Sequence, residues 1–159
     1  MSTSFTPGKN LKADALETYM KENNLNFFRR EALGGPMDTI AFLTTLPAGD
    51  HRLVTTILTD NSMYTVLRVH LGTAPTDKRR KDFFHYLNQL NKRHGVFKYS
   101  VDEENHVFLD MTTTSRPNHF EPDLLRTLLN LVSYFLQNEY AEIVTHLDKP
   151  GEEAQDFTL

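Results

Sequence analysis

Seven histidines and one acidic cluster are the side chains of this chain best suited to holding a metal or moving a proton. The histidines form no His-x-x-x-His pair and no His-Glu-x-x-His motif, the spacings that place two ligands on one helix face. Asp102, Glu103 and Glu104 stand side by side where a hairpin turn is expected, and no calcium loop of the EF-hand type surrounds them. We therefore expect no metal and no cofactor.

Nucleophilic chemistry is equally poorly represented. The chain has no cysteine, which excludes thiolate nucleophiles, disulfides and cysteine zinc sites. Serine and threonine are plentiful, especially at 112–115, but no Gly-x-Ser-x-Gly elbow and no glycine-rich phosphate loop occur. We expect no catalytic residues and a protein that is not an enzyme.

Charge argues against nucleic acid as a partner. The net charge is −4 and the pI about 5.9, whereas nucleic-acid binding usually requires a basic face. The basic run at 78–81 opens a predicted helix, so its four side chains point around the cylinder and cannot form one flat patch. Neither a signal peptide nor a membrane-spanning apolar run is recognisable, which predicts a cytoplasmic protein without a membrane partner.

The elements that must position any site follow from the periodicity of the apolar residues. A helix from Leu11 to Asn23, capped by Asn10, precedes a strand-rich segment. Its strands are predicted at 25–32, 38–46, 51–59 and 63–71, with Pro47–Asp50 as one of the turns. A helix, a β-hairpin and a third helix starting near Pro122 complete the order helix, strands, helix, hairpin, helix.

Grouped strands predict an α+β fold, an antiparallel β-sheet meander with the three helices packed on one face. We expect a leader at 1–9, a single domain at 10–147 and a disordered acidic tail at 148–159. The third helix carries so wide an apolar stripe that we expect it to be largely buried, against the sheet or in part against another subunit.

The open face of the sheet is the predicted interaction surface. Strand alternation places Leu67, Val69 and Leu109 toward the core. The opposite face then carries the candidate partner-binding residues Tyr64, Val66, Arg68 and Phe108. Aromatic and arginine side chains are enriched at protein interfaces, although an ordinary solvent face also contains some apolar members.

A family resemblance rests on a short pattern near the middle of the chain. Leu-Asn-Gln-Leu-Asn at 87–91 ends the second helix, Phe-Lys-Tyr at 97–99 opens the hairpin, and Val-Phe-Leu at 107–109 follows an acidic turn. In this pattern and in its order of elements, the chain resembles the YbjN-like family of bacterial sensory transduction regulators. It departs from the family at the turn, where Glu104-Asn105 replaces Asp-Gly, but asparagine tolerates a positive φ.

The resemblance implies the fold of type III secretion chaperones, which are acidic homodimers that hold a protein partner in extended form. It also implies structural roles for Asn88 and Asn91, with the amide of Asn91 turned to backbone groups near the helix end. We therefore expect a non-enzymatic interaction module, chaperone- or adaptor-like, that binds an unidentified protein through the sheet face or a strand edge. The alternative is a regulatory domain that senses a small molecule between sheet and helices.

Overall fold

The structure is a computed structural model that describes residues 9–151. Within that range the helices are α1 (Leu11–Glu22), α2 (Arg80–Arg93) and α3 (Pro122–His146), with a short 3₁₀ helix at Pro117–His119. The strands are β1 (Arg29–Gly34), β2 (Thr39–Ala48), β3 (His51–Thr59), β4 (Tyr64–Thr73), β5 (Lys98–Val101), β6 (His106–Thr114) and β7 (Lys149–Pro150).

All of these strands belong to one antiparallel sheet. Its order is β1-β2-β3-β4-β6-β5, and β7 pairs with one end of β4. Consecutive strands are neighbours except across α2 and α3, so that β6 rather than β5 returns beside β4 and β7 pairs with β4 rather than β6. The predicted α+β class with an antiparallel sheet and three helices is confirmed for residues 9–151.

Two apolar clusters form the core. The larger one joins α2 and α3 to the inward side chains of β4 and β6, such as Leu67, Val69 and Leu109. The smaller one joins α1 to Phe42 and Ile57 of the sheet. This smaller cluster has fewer buried members, and it borders the groove described below.

Asn10 fixes the start of α1, as the sequence predicts. Its side-chain oxygen accepts a hydrogen bond from the backbone N–H of Ala13 at 2.9 Å. Its side-chain nitrogen donates to the carbonyl oxygens of Asp38 and Thr59, at 2.9 and 3.0 Å. One buried side chain therefore satisfies an orphan donor of the helix and attaches the helix to the β2 and β3 ends of the sheet.

A buried lysine attaches the same helix to β4. Lys12 is fully buried, and its ammonium group donates to the carbonyl oxygen of Tyr64 and to Oγ1 of Thr65, with Asp60 at 3.9 Å. Burial lowers the pKa of Lys12, while the charge of Asp60 raises it in part. These contacts hold the N-terminal half of α1 over the sheet.

The first two strands differ from their predicted bounds. The first strand begins at Arg29 rather than at residue 25, because 26–27 turn and Phe28 is not in a strand. The second strand continues through Pro47 to Ala48, and only Gly49 and Asp50 form the connection to β3. The predicted turn at Pro47–Asp50 is therefore two residues too long, because proline is compatible with an edge strand.

The acidic hairpin turn forms as the sequence predicts. Asn105 has φ +67°, the left-handed conformation that glycine would otherwise supply. Asp102 accepts hydrogen bonds from the backbone N–H groups of Glu104 and His106, at 2.9 and 2.8 Å. These acidic residues build a turn.

The predicted tail begins with four residues that are hydrogen-bonded to the rest of the domain. The backbone N–H of Asp148 donates to Thr73, β7 pairs with β4, and the N–H of Gly151 donates to the hydroxyl of Tyr140 at 2.9 Å. A Cβ atom at Gly72 would lie 2.3 Å from the carbonyl oxygen of Lys149, so glycine permits this close approach. The domain thus extends to 151, four residues beyond its predicted end. The rest of the tail and residues 1–8 of the leader lie outside the described residues.

The third helix is only partly buried. Its core stripe includes Leu125, Val132, Leu136, Tyr140 and Ile143. Other apolar side chains of the same helix are exposed: Leu124 by 48%, Leu131 by 44% and Tyr134 by 70%. Burial against the sheet therefore accounts for one side of the apolar stripe and leaves the other open.

Candidate functional site

The four candidate residues of the sheet face lie opposite the core. Tyr64 is 53% exposed, and Val66, Arg68 and Phe108 are partly buried. Arg68 and Phe108 are in contact, with the guanidinium carbon 4.6 Å from the ring centroid. Tyr64 stands apart at the end of β4, opposite Thr114.

Arg68 is bound to another side chain of the sheet that the sequence did not predict as its partner. Its Nε and Nη2 atoms donate to the two carboxylate oxygens of Asp110, each at 2.8 Å, and Asp110 is 7% exposed. Hydrogen bonding to Asp110 raises the pKa of Arg68. The register pairs Arg68 directly with Asp110, so the missing signal was the pairing of β4 with β6. The charged groups of Arg68 and Asp110 are therefore paired with each other, and this part of the face offers few unpaired groups to a partner.

The two asparagines of the family pattern occupy different environments. The amide of Asn91 donates to the carbonyl oxygen of Tyr99 at 3.1 Å and accepts from the N–H of Tyr99 at 2.6 Å. Because β5 is the last strand on this side of the sheet, Asn91 fills the place of a further strand. Asn88 is exposed on the same helix.

The opposite side of the sheet has a short stretch that no strand covers. Strand β1 pairs with β2 only from Thr39 to Leu43, whereas β2 continues to Ala48. Among the described residues, β3 is therefore the sole strand neighbour of β2 from Thr44 to Ala48.

The hairpin geometry shows which backbone groups face this gap. Ala48 and His51 flank the two-residue connection and form a hydrogen-bonded pair, and such pairs alternate along an antiparallel ladder. Thr44 and Leu46 then bond to β3, while Thr45 and Pro47 direct their backbone groups away from it. The N–H of Thr45 has no backbone partner within residues 9–151. Pro47 fits the outward position because it has no N–H to leave unpaired.

The gap is a groove with an apolar floor, which we call the β2 notch. It has a volume of about 490 Å³ and is lined by Phe27, Arg29, residues 43–47 and Arg52. Phe27 forms one wall and is 63% exposed. Arg52 spans part of the notch, because its Nε donates to Oγ1 of Thr45 at 3.1 Å and its Nη2 approaches the Thr45 carbonyl oxygen at 3.5 Å.

A second space, which we call the helix cleft, adjoins the notch between α1, α3 and the sheet. It has a volume of about 280 Å³ and shares Phe27 and Leu46 with the notch. Its walls are mostly apolar, with Tyr19, Arg126, Asn130 and Ser133 as polar members. The two spaces therefore form one groove that leads from the edge of β2 to the smaller apolar cluster.

Sequence reasoning missed this groove, although two signals pointed to it. Phe27 and Phe28 are adjacent, so one ring must leave the core if the other enters it. Pro47 lies inside a β-branched and threonine-rich stretch, where a proline indicates an edge strand. With Pro47 assigned to a turn, neither the free edge of β2 nor Phe27 beside it can be predicted as part of a site.

Neither a metal-binding cluster nor a membrane-spanning helix occurs among the described residues. Within 9–151, histidine, aspartate and glutamate side chains form no group of three or more that could hold a metal ion. None of the helices in this range combines the length and apolarity needed to cross a bilayer. No protein-family model matches the chain, and no curated protein matches it.

Proposed function

We propose that this protein is a non-enzymatic interaction module, chaperone- or adaptor-like, that binds an extended segment of a partner protein in the β2 notch. The backbone N–H of Thr45, which faces an apolar groove at an uncovered sheet edge, carries this proposal. A partner strand beside β2 would pair with Thr45 and continue the line of β1.

The lining of the groove indicates the kind of segment that would bind. Alternate side chains of an added strand point to opposite faces of the sheet. Those on the helix side would enter the space between Phe27 and Leu46, which favours a large apolar residue. Arg52 places positive charge along the notch, which favours acidic residues elsewhere in the segment.

The family resemblance agrees with this proposal. Type III secretion chaperones hold their partners in extended form, and the YbjN-like pattern at 87–109 suggests the same fold. The contacts of Asn91 with Tyr99 add a local reason, because they occupy the other edge of the sheet and leave the β2 side for strand addition.

Peptide selection followed by backbone substitution tests the proposal. Ten-residue peptides selected from a random display library would be measured against the wild type and against Thr45→Pro and Thr45→Val. Thr45→Pro removes the outward N–H, so we expect at least a tenfold loss of affinity. Thr45→Val keeps that N–H and loses only the hydroxyl, so we expect less than a threefold change. Equal binding by all three proteins would contradict strand addition.

A peptide control separates backbone pairing from adhesion to apolar surface. Methylating alternate backbone nitrogens of the selected peptide removes its donors on one side and preserves its side chains. We expect the peptide methylated on the β2-facing side to bind at least tenfold more weakly than the peptide methylated on the other side. The reverse result would exclude a hydrogen-bonded strand in the notch.

The helix cleft supports a second candidate, a regulatory domain that binds a small apolar molecule. Its volume of about 280 Å³ lies between sheet and helices, where a ligand-sensing domain would need it. Free fatty acids of six to ten carbons and small aromatic acids are suitable probes. A bound probe would raise the melting temperature in proportion to its concentration over Kd, and Ser133→Trp should abolish that rise by filling the cleft. Gln137→Trp, on the exposed side of α3, is the matched control.

A further inference from the structure

The exposed side of α3 carries an apolar stripe of which only Leu128 and Phe135 also pack against the larger core cluster. Leu124, Leu128, Leu131 and Phe135 follow one another at helical spacing, with Tyr134 beside them. Leu128 and Phe135 are partly buried, and the other three are exposed by 44–70%. Single exposed apolar residues are ordinary, but a continuous stripe is typical of an interaction surface.

From residue 127 to residue 138, α3 has no charge on any side. Residues 127–138 contain no aspartate, glutamate, lysine or arginine, although 24% of the chain is charged. The exposed side of α1 by contrast carries Asp14, Lys21 and Glu22. The polar residues around the stripe of α3 are uncharged, among them Thr127 and Asn138. Depletion of charge together with exposed aromatic residues distinguishes the centre of a protein interface from ordinary surface.

The spacing of the stripe suits a second copy of the same helix. The intervals between its four members are 4, 3 and 4 residues, so the pattern reads the same from either end. In a two-fold dimer each patch must be complementary to itself. An antiparallel crossing would place Leu128 against Leu131 of the other copy and Leu124 against Phe135. The macrodipoles of the two helices would also oppose each other.

We propose that two copies of this chain associate through the stripe of α3 as an antiparallel, two-fold dimer. The family resemblance predicts a homodimer but assigns it no surface; the stripe assigns one. Residues of α3 that line the helix cleft, such as Leu125 and Leu129, lie on a different side of the helix. The dimer therefore leaves the β2 notch open, and neither proposal depends on the other.

The molar mass in solution tests the dimer. Sedimentation equilibrium at 1–100 µM loading should give twice the chain mass of 18.4 kDa for the wild type. Leu131→Glu would bury a charge at the centre of the interface, so we expect a loss of association of at least 100-fold. Leu33→Glu changes a leucine of similar exposure (54%) on β1 and should remain dimeric. A monomeric wild type, or a Leu131→Glu protein as dimeric as the wild type, would overturn the proposal.

Disulfide trapping tests the antiparallel arrangement without disturbing the fold. The chain has no cysteine, so one introduced thiol gives an unambiguous product. Leu131 lies close to the two-fold axis, and Leu131→Cys should form an intermolecular disulfide under mild oxidation. The two copies of residue 124 would lie about 16 Å apart along the helices, beyond disulfide reach, so Leu124→Cys should not. Efficient crosslinking of Leu124→Cys, or none of Leu131→Cys, would overturn the arrangement.

Discussion

The two edges of the sheet are treated differently. At the β5 edge, the side chain of Asn91 occupies both backbone groups of Tyr99, donating at 3.1 Å and accepting at 2.6 Å. At the other edge, β1 covers β2 only as far as Leu43. Beyond that point, the N–H of Thr45 faces a groove.

The difference shows how narrowly strand addition would be confined. An uncovered edge invites unwanted pairing, and proteins usually protect it with charge, bulges, proline or a covering side chain. Here Asn91 protects β5, while β1 carries Arg29, Arg30 and Glu31 and has an irregular register between Ala32 and Gly34. The open segment is limited to a few residues of β2, next to the exposed ring of Phe27.

Alkaline pH should produce the largest loss of stability. It should act through two buried tyrosines, Tyr99 of β5 and Tyr86 of α2. Burial raises the pKa of Tyr86 to about 12 and also raises the pKa of Tyr99. Each phenol stays protonated in the folded state at a pH where the unfolded chain has released its proton. The free energy of unfolding should therefore fall as pH rises above 10, by up to about 1.4 kcal/mol per pH unit for each phenol.

Urea unfolding between pH 9 and 11.5 checks this prediction. Tyr86→Phe and Tyr99→Phe should each give a smaller slope than the wild type. Lys12 acts in the opposite direction, because burial lowers its pKa and the unfolded chain holds that proton up to about pH 10.5. Comparing variants at equal pH removes this common contribution. If both variants had the same slope as the wild type, the two phenols would not be held protonated in the folded state.

Removing the side chain that pairs with the backbone of β5 should give the next largest loss of stability. Asn91→Leu leaves the N–H and carbonyl of Tyr99 without their side-chain partner, which should cost about 2 kcal/mol of unfolding free energy. Asn88→Leu is the matched control on the exposed side of the same helix, and it should change stability by less than about 0.5 kcal/mol. Equal losses of stability for the two variants would mean that the hydrogen bonds of Asn91 to Tyr99 do not stabilise the β5 edge.

The sheet face between the two edges should respond less strongly. Arg68→Met leaves the carboxylate of Asp110 without its cation, and we expect a loss of about 1 kcal/mol because 39% of the arginine side chain is exposed. Adding Asp110→Asn should recover part of the loss, which a double-mutant cycle in urea would measure. Additive losses would show that the pair contributes nothing beyond its separate side chains.

The smallest effect on stability should come from the wall of the open notch. Phe27 is 63% exposed, so Phe27→Ser should change the free energy of unfolding by less than about 0.5 kcal/mol. The same change should weaken selected peptides about tenfold, because the ring would cover their apolar residue. Met63→Ser, at a distant exposed position of 53%, should alter neither quantity. A large loss of stability would place Phe27 in the core.

Local patterns predicted much of the fold. Asn10 as a cap, Asn105 at positive φ and Pro122 in the first turn of α3 each follow from the physical preference of one residue type. The alternation of Leu67, Val69 and Leu109 likewise predicted the buried face of the sheet. These features depend on neighbours only a few residues away.

The candidate site was harder to predict because it depends on distant pairings. The partner of Arg68 is 42 residues away, and its identity follows from the register of β4 with β6. The β2 notch exists because β1 is shorter than β2, a difference in length between two strands that no single segment encodes. The attachment of residues 148–151 to the domain depends on Tyr140 and Gly72 in the same way.

Amide hydrogen exchange at Thr45 is the most direct test of strand addition in the notch. The exchange of each backbone N–H would be followed by NMR with and without a saturating selected peptide. We predict at least a tenfold slowing at Thr45 and an unchanged rate at Tyr99, whose N–H is already bound to Asn91. Unchanged exchange at Thr45 with the peptide bound, or new protection at β5 instead, would contradict the proposed binding edge.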